Sequence, residues 1–350
     1  MEYLLHLADL TKAEAEGEGE AERHVMRAAW YERQGPAREV LVVGEMPVPV
    51  PGPGEVRVRV AVSGVHVGDL GKRRGWWGST MAFPRVIPHG DGAGVIDAVG
   101  PGADEGRVGE RVWVYLAQSY RPFGTAADYV VVPEGRAVPL PGQVPLEQAA
   151  GLGIPGITAH RAVLGDGPVD GRTVVVTGAL GAVGRAAVAI ARRGGARVIA
   201  TVRRAAHVGE ALEAGAHEVV DVSEGGVAER ILALAPDGVD RVAELAFDAN
   251  VATDLEILRY GGTIATYATR DANPQVPYWP LAFKNITVRF LSNDDFPEEA
   301  NAAAATELTA ALLAGDLRYP IAGRFALDDI AEAHDLAERA AATGRVVITL

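Results

Sequence analysis

A glycine-rich turn joins an apolar strand to a helical segment in the middle of the chain, and few folds accommodate that combination. Residues 173–176 read TVVV, residues 177–184 read TGALGAVG, and a helical pattern rich in alanine begins near Arg185. Glycine at 181 lets the backbone approach a pyrophosphate, and glycine at 184 allows close contact between helix and strand. The N–H groups that begin the helix attract phosphate. The turn therefore predicts a dinucleotide site.

Strand and helix patterns alternate on both sides of this turn. Predicted helices at 184–193, 206–214, 227–234 and 250–258 separate apolar strands at 173–177, 197–202, 218–222, 241–245, 263–267 and 286–290. Such alternation is typical of βαβ units in a doubly wound parallel sheet. The sequence therefore predicts an α/β protein with a Rossmann domain over residues 150–292.

The end of the second predicted strand indicates which dinucleotide binds. Sites for NAD usually place Asp or Glu there to hold the ribose hydroxyls. Residues 200–204 read ATVRR and contain no carboxylate. The guanidiniums of Arg203 and Arg204 suit the additional 2′-phosphate of NADPH. The alternative is that these two arginines only begin a solvated helix.

The residues before the Rossmann domain have a different pattern. From residue 26, short strands at 28–31, 41–45, 55–62, 92–99, 111–115 and 126–132 alternate with turns such as 51–54 (PGPG). This pattern predicts a compact antiparallel, barrel-like β-domain over residues 26–149. Residues 293–350, with helices at 299–314 and 327–341 and a last strand at 345–350, are expected to complete it. Residues 1–25 form an acidic N-terminal extension.

Composition excludes several function classes. A chain of 350 residues fits two domains. It contains no cysteine, so disulfides, thiolate nucleophiles and zinc ribbons are excluded. Its net charge of −13 disfavours nucleic acid as a partner. No apolar run reaches the length of a membrane span, and residues 1–25 are acidic where a signal peptide is basic, which favours the cytoplasm.

Several segments resemble the medium-chain dehydrogenases/reductases, in particular the zinc-free quinone oxidoreductases that include zeta-crystallin. They are 49–56 (PVPGPGEV), 93–100 (AGVIDAVG), 109–112 (GERV), 153–159 (GIPGITA), 181–184 (GAVG), 213–216 (EAGA) and 342–345 (ATGR). The resemblance extends over nearly all residues from 26 to 350. It implies a GroES-like β-domain, a Rossmann domain, and a cleft between them where the nicotinamide meets the substrate.

The resemblance also implies which residues contact the cofactor. Thr158 is expected near the nicotinamide, and the residues that follow the later strands are expected to border the dinucleotide. The predicted cofactor residues are Thr158, Gly181, Ala182, Val183, Gly184, Arg203, Arg204, Phe247, Tyr267, Ala268, Thr269, Phe290, Leu291, Ser292 and Arg345. Asn250 resembles a family asparagine, and its alternative is a helix N-cap.

The resemblance predicts no metal. The alcohol-dehydrogenase branch uses a cysteine in the segment that corresponds to 63–69, and four more cysteines for a structural zinc. A catalytic zinc needs three protein ligands, and here only His66, Asp69 and Asp91 would offer substitutes. Zinc-free members usually carry Asn-Pro-x-Asp in this segment, whereas this chain reads His-Val-Gly-Asp at 66–69.

Hydride addition to an enone or quinone leaves negative charge on oxygen, so one hydrogen-bond donor near that oxygen would be sufficient. The predicted catalytic residues are His66, as donor or acid, Asp69 and Tyr115, and Tyr120 offers a second hydroxyl. His66 is equally well explained as a packed cleft residue.

The expected activity is NADPH-dependent reduction of quinones or α,β-unsaturated carbonyls without zinc. The alternatives are an enoyl-thioester reductase and a non-catalytic NADPH sensor. The family also implies a homodimer that pairs the edge strands at 286–290.

Overall fold

The computed structural model describes residues 25–339 and 344–350. The predicted acidic extension therefore lies, except for Val25, outside the described residues. Within the described part of the chain, no helix has both the length and the apolar character needed to cross a membrane.

Strands dominate the first part of the chain, and strands and helices alternate in the second. In chain order, the strands are β1 (Val25–Trp30), β2 (Val42–Pro47), β3 (Glu55–Gly64), β4 (Asp91–Val99), β5 (Arg111–Val114), β6 (Tyr129–Pro133), β7 (Ala137–Pro139), β8 (Thr173–Val176), β9 (Arg197–Val202), β10 (Glu218–Asp221), β11 (Val239–Glu244), β12 (Leu258–Thr266), β13 (Thr287–Phe290), β14 (Ile321–Ala326) and β15 (Arg345–Thr349). The helices are α1 (Ala37–Val40), α2 (Val67–Arg74), α3 (Leu146–Ala149), α4 (Gly153–Leu164), α5 (Ala182–Arg193), α6 (Val208–Glu213), α7 (Val227–Leu234), α8 (Phe247–Ile257), α9 (Tyr278–Phe283), α10 (Glu298–Ala314) and α11 (Ile330–Glu338).

The first domain is built on a largely antiparallel sheet. Its strand order is β14-β15-β3-β4-β5-β7, with β6 also paired to β3, and β1 and β2 form a separate antiparallel pair. Val56, Val58 and Val60 alternate along β3 and are buried on one face, as expected when a sheet covers a core on one side. Strand β15 pairs antiparallel with β3, so the last strand returns to the first domain.

The second sheet is parallel throughout and has the order β10-β9-β8-β11-β12-β13. Helices cover both faces. Val174 packs against the layer that contains α4, α5 and α10, and Val175 packs against the layer that contains α7 and α8. Burial on both faces explains why these strands are continuous apolar runs. The predicted α/β class, with a GroES-like domain and a Rossmann domain, is confirmed.

Several details differ from the sequence expectations. Helices α2, α4 and α9 and strand β14 were not predicted from the sequence pattern. Helix α8 begins at Phe247, three residues before its predicted start. Strand β12 begins at Leu258, five residues early, because Leu258 pairs with Val239 before the register shifts. Helix α10, which the sequence places in the segment completing the first domain, packs against α4 and α5 of the Rossmann domain. Its Thr309 hydroxyl accepts the indole N–H of Trp113 in the first domain, at 3.0 Å.

Candidate functional site

The glycine-rich turn has the geometry expected of a phosphate loop. A Cβ atom at Gly184 would lie 2.3 Å from the carbonyl oxygen of Gly178, so only glycine lets α5 sit this close to the loop. A Cβ at Gly181 would have no neighbour nearer than 3.4 Å, so the space above it is open. Gly181 is the N-cap of α5, and the N–H groups of Ala182 and Val183 have no partner within the helix by its geometry.

The end of strand β9 lies directly against this loop. The Gly178 N–H donates to the Thr201 hydroxyl at 3.2 Å, and the Ala179 N–H donates to the Thr201 carbonyl at 3.2 Å. Arg203 and Arg204 follow two and three residues later and are exposed. Neither guanidinium makes a hydrogen bond or ion pair with another described residue. Two cations without a partner in the described part of the chain therefore follow the strand that contacts the loop.

The other predicted cofactor segments lie at the same edge of the sheet. The Tyr267 N–H donates to the Glu244 carbonyl at 3.1 Å, and the Leu291 N–H donates to the Thr266 carbonyl at 2.9 Å. These bonds place the segments containing Tyr267, Ala268 and Thr269, and Leu291 and Ser292, side by side at the carboxyl ends of β11, β12 and β13. Carboxyl ends of parallel strands are where such sheets bind ligands.

Phe247 and Phe290 form an edge-to-face pair with ring centroids 5.5 Å apart. The Phe290 ring is exposed, but the Phe247 side chain is only 1% exposed and belongs to the core under α8. The structure therefore offers Phe290, and not the ring of Phe247, to a bound molecule.

His66, in the first domain, is the N-cap of α2. Its Nδ1 atom accepts the Gly68 N–H at 3.0 Å, and its own backbone N–H donates to Asp69 Oδ2 at 2.8 Å. Burial, with the nearby charges of Arg345 and Lys72, lowers the pKa of His66 to about 3. A neutral ring whose Nδ1 accepts must carry its proton on Nε2. His66 is therefore a neutral donor, and its pKa lies far below the range assumed for an acid.

Asp69 and Asp91 bring two carboxyl groups into the same region. Asp69 caps the backbone of His66, and burial raises its pKa to about 6. Both oxygens of Asp91 accept the Ile154 N–H at 2.9 Å, which links β4 of the first domain to α4 of the Rossmann domain. Burial raises the pKa of Asp91 to about 7, although Arg345 opposes this shift.

Arg345 lies beneath this cluster. Its Nη2 atom is 3.9 Å from Asp91 Oδ2, and the side chain is buried. The structure thus places Arg345, predicted to contact the cofactor, behind the cleft carboxyl groups. Thr158 is also nearly buried, and its hydroxyl donates to the Ile154 carbonyl at 2.7 Å.

Comparison with known proteins decides the family. Residues 52–142 match the alcohol dehydrogenase GroES-like domain, and residues 182–306 match the zinc-binding dehydrogenase domain. The human quinone oxidoreductase is 31% identical over 268 residues, which is 75% of this chain and 79% of the human protein. The chain belongs to the quinone oxidoreductase family. That family lies within the medium-chain dehydrogenases/reductases, so the resemblance found in the sequence is confirmed. The chain is therefore a member of an oxidoreductase family.

Solved structures in this family have the same architecture. A Pseudomonas syringae quinone oxidoreductase superimposes with a TM-score of 0.82 at 26% identity, covering 93% of this chain and 100% of that one. A mycobacterial protein solved in complex with NADPH superimposes with a TM-score of 0.80 at 28% identity, with the same coverage. The chain described here therefore has the fold of a pyridine-nucleotide-binding dehydrogenase.

Two side chains that were predicted to offer a hydroxyl group to the substrate, Tyr115 and Tyr120, make other contacts. Tyr115 is 4% exposed, packs against Trp113 in the core, and donates its hydroxyl to the Gly135 carbonyl at 3.3 Å. The structure therefore removes Tyr115 from the predicted catalytic set. Tyr120 is 73% exposed and donates to Asp295 Oδ1 at 2.9 Å on the surface.

The side chains considered as possible zinc ligands, His66, Asp69 and Asp91, make the other contacts described above. In residues 25–339 and 344–350, no three His, Cys, Asp or Glu side chains are grouped so that they could hold a metal ion. Independence of zinc stays a prediction for this member of the quinone oxidoreductase family.

A second pair of buried carboxyl groups, not predicted from the sequence, lies near the carboxyl edge of the Rossmann sheet. Glu244 ends β11 fully buried, and its Oε1 atom accepts the Asn250 side-chain N–H at 2.9 Å as well as the Ala246 N–H. Asn250 is therefore not a helix N-cap. Asp254 lies one turn further along α8, and burial together with Glu244 raises its pKa well above the usual value. An acidic residue ending an apolar strand is the signal that points to Glu244.

Proposed function

We propose that this protein is an NADPH-dependent reductase that transfers hydride to quinones or other α,β-unsaturated carbonyl compounds without zinc. The observation that carries the choice of NADPH is the pair Arg203 and Arg204, exposed beside the phosphate loop and bonded to no other described residue. A 2′-phosphate is a dianion, and two guanidiniums recognise it by charge-assisted hydrogen bonds. The Gly181 turn and the first N–H groups of α5 would hold the pyrophosphate.

The bound nicotinamide would supply the hydride, and the protein's own task is to orient the substrate and stabilise the oxygen that becomes negative. The Nε2–H of His66 is the donor proposed for this oxygen. Asp69 fixes the ring by capping its backbone, while the Gly68 N–H holds Nδ1, so the donor is preorganised. A neutral donor stabilises charge without giving up its proton, which suits a quinone whose reduced oxygen takes its proton from solvent.

An enoyl-thioester reductase is the second candidate, and the structure gives it less support. Such an enzyme needs free basic side chains for the phosphates of the coenzyme. The candidates near the cleft are paired with acidic residues: Lys72 with Asp294 at 3.7 Å, Arg85 with Glu32 at 2.6 Å, and both Arg73 and Arg74 with Glu338.

NADPH oxidation with a panel of acceptors tests the proposal. We expect turnover of 1,4-quinones and simple enones, slower turnover of crotonyl thioesters, and little oxidation of NADH. Calorimetry that detects no association with NADPH would refute the proposal. Tight binding without turnover on any acceptor would instead support the sensor. The matched variants are His66→Asn, which keeps a side-chain donor, and His66→Phe, which removes it and should lower kcat far more.

We also propose that the protein forms a homodimer in the cytoplasm, where a reductase of this kind draws on the reduced NADPH pool. Strand β13 is the edge of the Rossmann sheet and leaves one side unpaired among the described strands. Two aromatic side chains on the neighbouring helix α9 are largely exposed, with Trp279 at 64% and Phe283 at 75%. An open edge beside exposed aromatic rings fits a self-association surface. Sedimentation of a Trp279→Glu variant as a monomer, with the parent as a dimer, is the expected result.

A further inference from the structure

Five fully buried side chains form a continuous chain of hydrogen bonds from α2, through α11, to the start of β4. In order they are Arg73, His334, His89, Ser63 and Thr125, and we name this set the histidine relay. Neither the cofactor site nor the proposed donor His66 includes any of them. His89 and His334 also stack, with ring centroids 5.1 Å apart.

The chemistry of the first member fixes the direction of the hydrogen bonds. A guanidinium only donates, so Arg73 Nε–H donates to His334 Nδ1 at 3.2 Å. The proton of a neutral His334 is therefore on Nε2, which faces His89 Nε2 at 2.9 Å. His89 must accept there and carry its own proton on Nδ1, which donates to Ser63 Oγ at 2.8 Å. The two rings are thus opposite tautomers.

The same direction continues into the cleft. Ser63 Oγ lies 2.7 Å from Thr125 Oγ1, and the Thr125 hydroxyl donates to the backbone carbonyl of Asp91 at 2.5 Å. Because the Thr125 proton is used there, Ser63 is the donor to Thr125. The relay therefore ends on the peptide of the residue whose carboxyl holds the Ile154 N–H.

The outer end of the relay is an ionic clamp on α11. Arg73 Nη2 pairs with Glu338 Oε1, and Arg74 Nε donates to the same oxygen at 2.9 Å. Glu338 thus fixes the guanidinium from which the order of the hydrogen bonds begins.

The backbone at His89 is strained. Its φ angle is +76°, in the left-handed region that disfavours residues with a Cβ atom. Glycine would remove this strain. In this strained conformation the two ring nitrogens of His89 join Ser63 to His334.

We propose that the histidine relay is a positioning device that fixes the Asp91 peptide and so holds the first domain in register with α4 across the cleft. Its members are positioning residues, since none of them touches the proposed site of reaction. Its effect on turnover rests on the proposed function, whereas its direction does not.

Histidine 15N NMR tests the direction. At neutral pH we expect His89 to show the Nδ1–H tautomer and His334 the Nε2–H tautomer, with assignments from His89→Asn and His334→Gln. Equal tautomers, or a protonated ring at either position, would overturn the relay as drawn.

Substitution of Thr125 tests the positioning role. Thr125→Val keeps the shape and removes the hydroxyl, and Thr125→Ser keeps the hydroxyl and loses the methyl group. We expect Thr125→Val to lower kcat about tenfold with an unchanged KM for NADPH. Thr125→Ser should keep the kcat of the parent. Thr306→Val, which removes a hydroxyl that bonds only the Ala302 carbonyl within α10, is the matched control and should leave kcat unchanged. Equal losses in Thr125→Val and Thr125→Ser would refute the role.

An independent readout separates this inference from the proposed function. In Thr125→Val the amide resonance of Ile154 and the ring signals of His334 should both shift, because one relay connects them. If the acceptor panel gives no turnover but these signals shift, only the proposed function fails. If the signals do not shift, the relay is overturned whatever the turnover. Should Thr125→Val not fold, Glu338→Gln at the outer clamp must move the His334 signals, and their constancy would have the same meaning.

Discussion

Replacement of Arg203 and Arg204 by alanine, singly and together, should abolish the proposed preference for NADPH and leave a protein that discriminates weakly between NADPH and NADH. Both guanidiniums are exposed and make no bond to another described residue. Their removal therefore breaks no contact within the described part of the chain, and stability should change little. The whole effect should fall on the ligand that carries the additional phosphate.

The magnitude follows from the setting of the two side chains. A hydrogen bond to a charged group contributes roughly 1.5 to 3 kcal/mol, and solvent exposure favours the lower end of this range. Each substitution should thus raise the Kd for NADPH about tenfold, and the pair about a hundredfold. The Kd for NADH should change less than about threefold, since NADH has a ribose hydroxyl where NADPH has the phosphate.

Isothermal titration calorimetry of both cofactors measures this directly. Arg59→Ala is the matched control, because Arg59 is also exposed but lies on β3 in the first domain. The NADPH affinity of the parent should weaken with added salt more steeply than that of the double variant. Equal losses for NADPH and NADH in the double variant would show that these arginines do not read the 2′-phosphate.

Two further predictions concern the loop and the cleft. Gly184→Ala should destabilise the fold by roughly 2 kcal/mol or more, because its Cβ would meet the Gly178 carbonyl at 2.3 Å; Gly181→Ala should cost less than about 1 kcal/mol and mainly weaken NADPH binding. Urea unfolding and calorimetry check both, and equal stability losses would contradict the assignment. Asp91→Asn should flatten the dependence of the free energy of unfolding on pH. Burial raises the pKa of Asp91 to about 7, so the protonated carboxyl stabilises the fold fully below the unfolded pKa near 4. This contribution is lost as the pH rises to about 7. Urea unfolding at pH 5 and pH 8 should show the parent losing stability relative to Asp91→Asn, and parallel behaviour would refute the shift.

Local pattern was sufficient for the architecture. Strands such as β8 and β9 are buried on both faces and therefore read as apolar runs, and the turn at 177–184 carries its function in its glycines. Because parallel strands end at one edge, the positions of Arg203 and of Tyr267 relative to the loop followed from the order of elements alone.

The sequence did not determine which polar side chains face the cleft. Tyr115 was expected there, although it is two residues from Trp113 and so shares the core-facing side of the strand. Asp91 and Glu244 lie at strand ends, where a carboxylate is ordinarily solvated. Their burial depends on Ile154 and Asn250, partners that come from other elements. His89 meets His334 across 245 residues of sequence, and no local pattern indicates such a contact.

The position of β15 has a consequence for biosynthesis. Strand β3 cannot acquire this neighbour until residue 349 has left the ribosome, whereas β8 to β13 are all complete once Phe290 has emerged. Domains generally fold in the order in which they are translated. Here the nucleotide-binding half can mature first, while the amino-terminal half waits for its last strand with an open flank and without Arg345 behind Asp91.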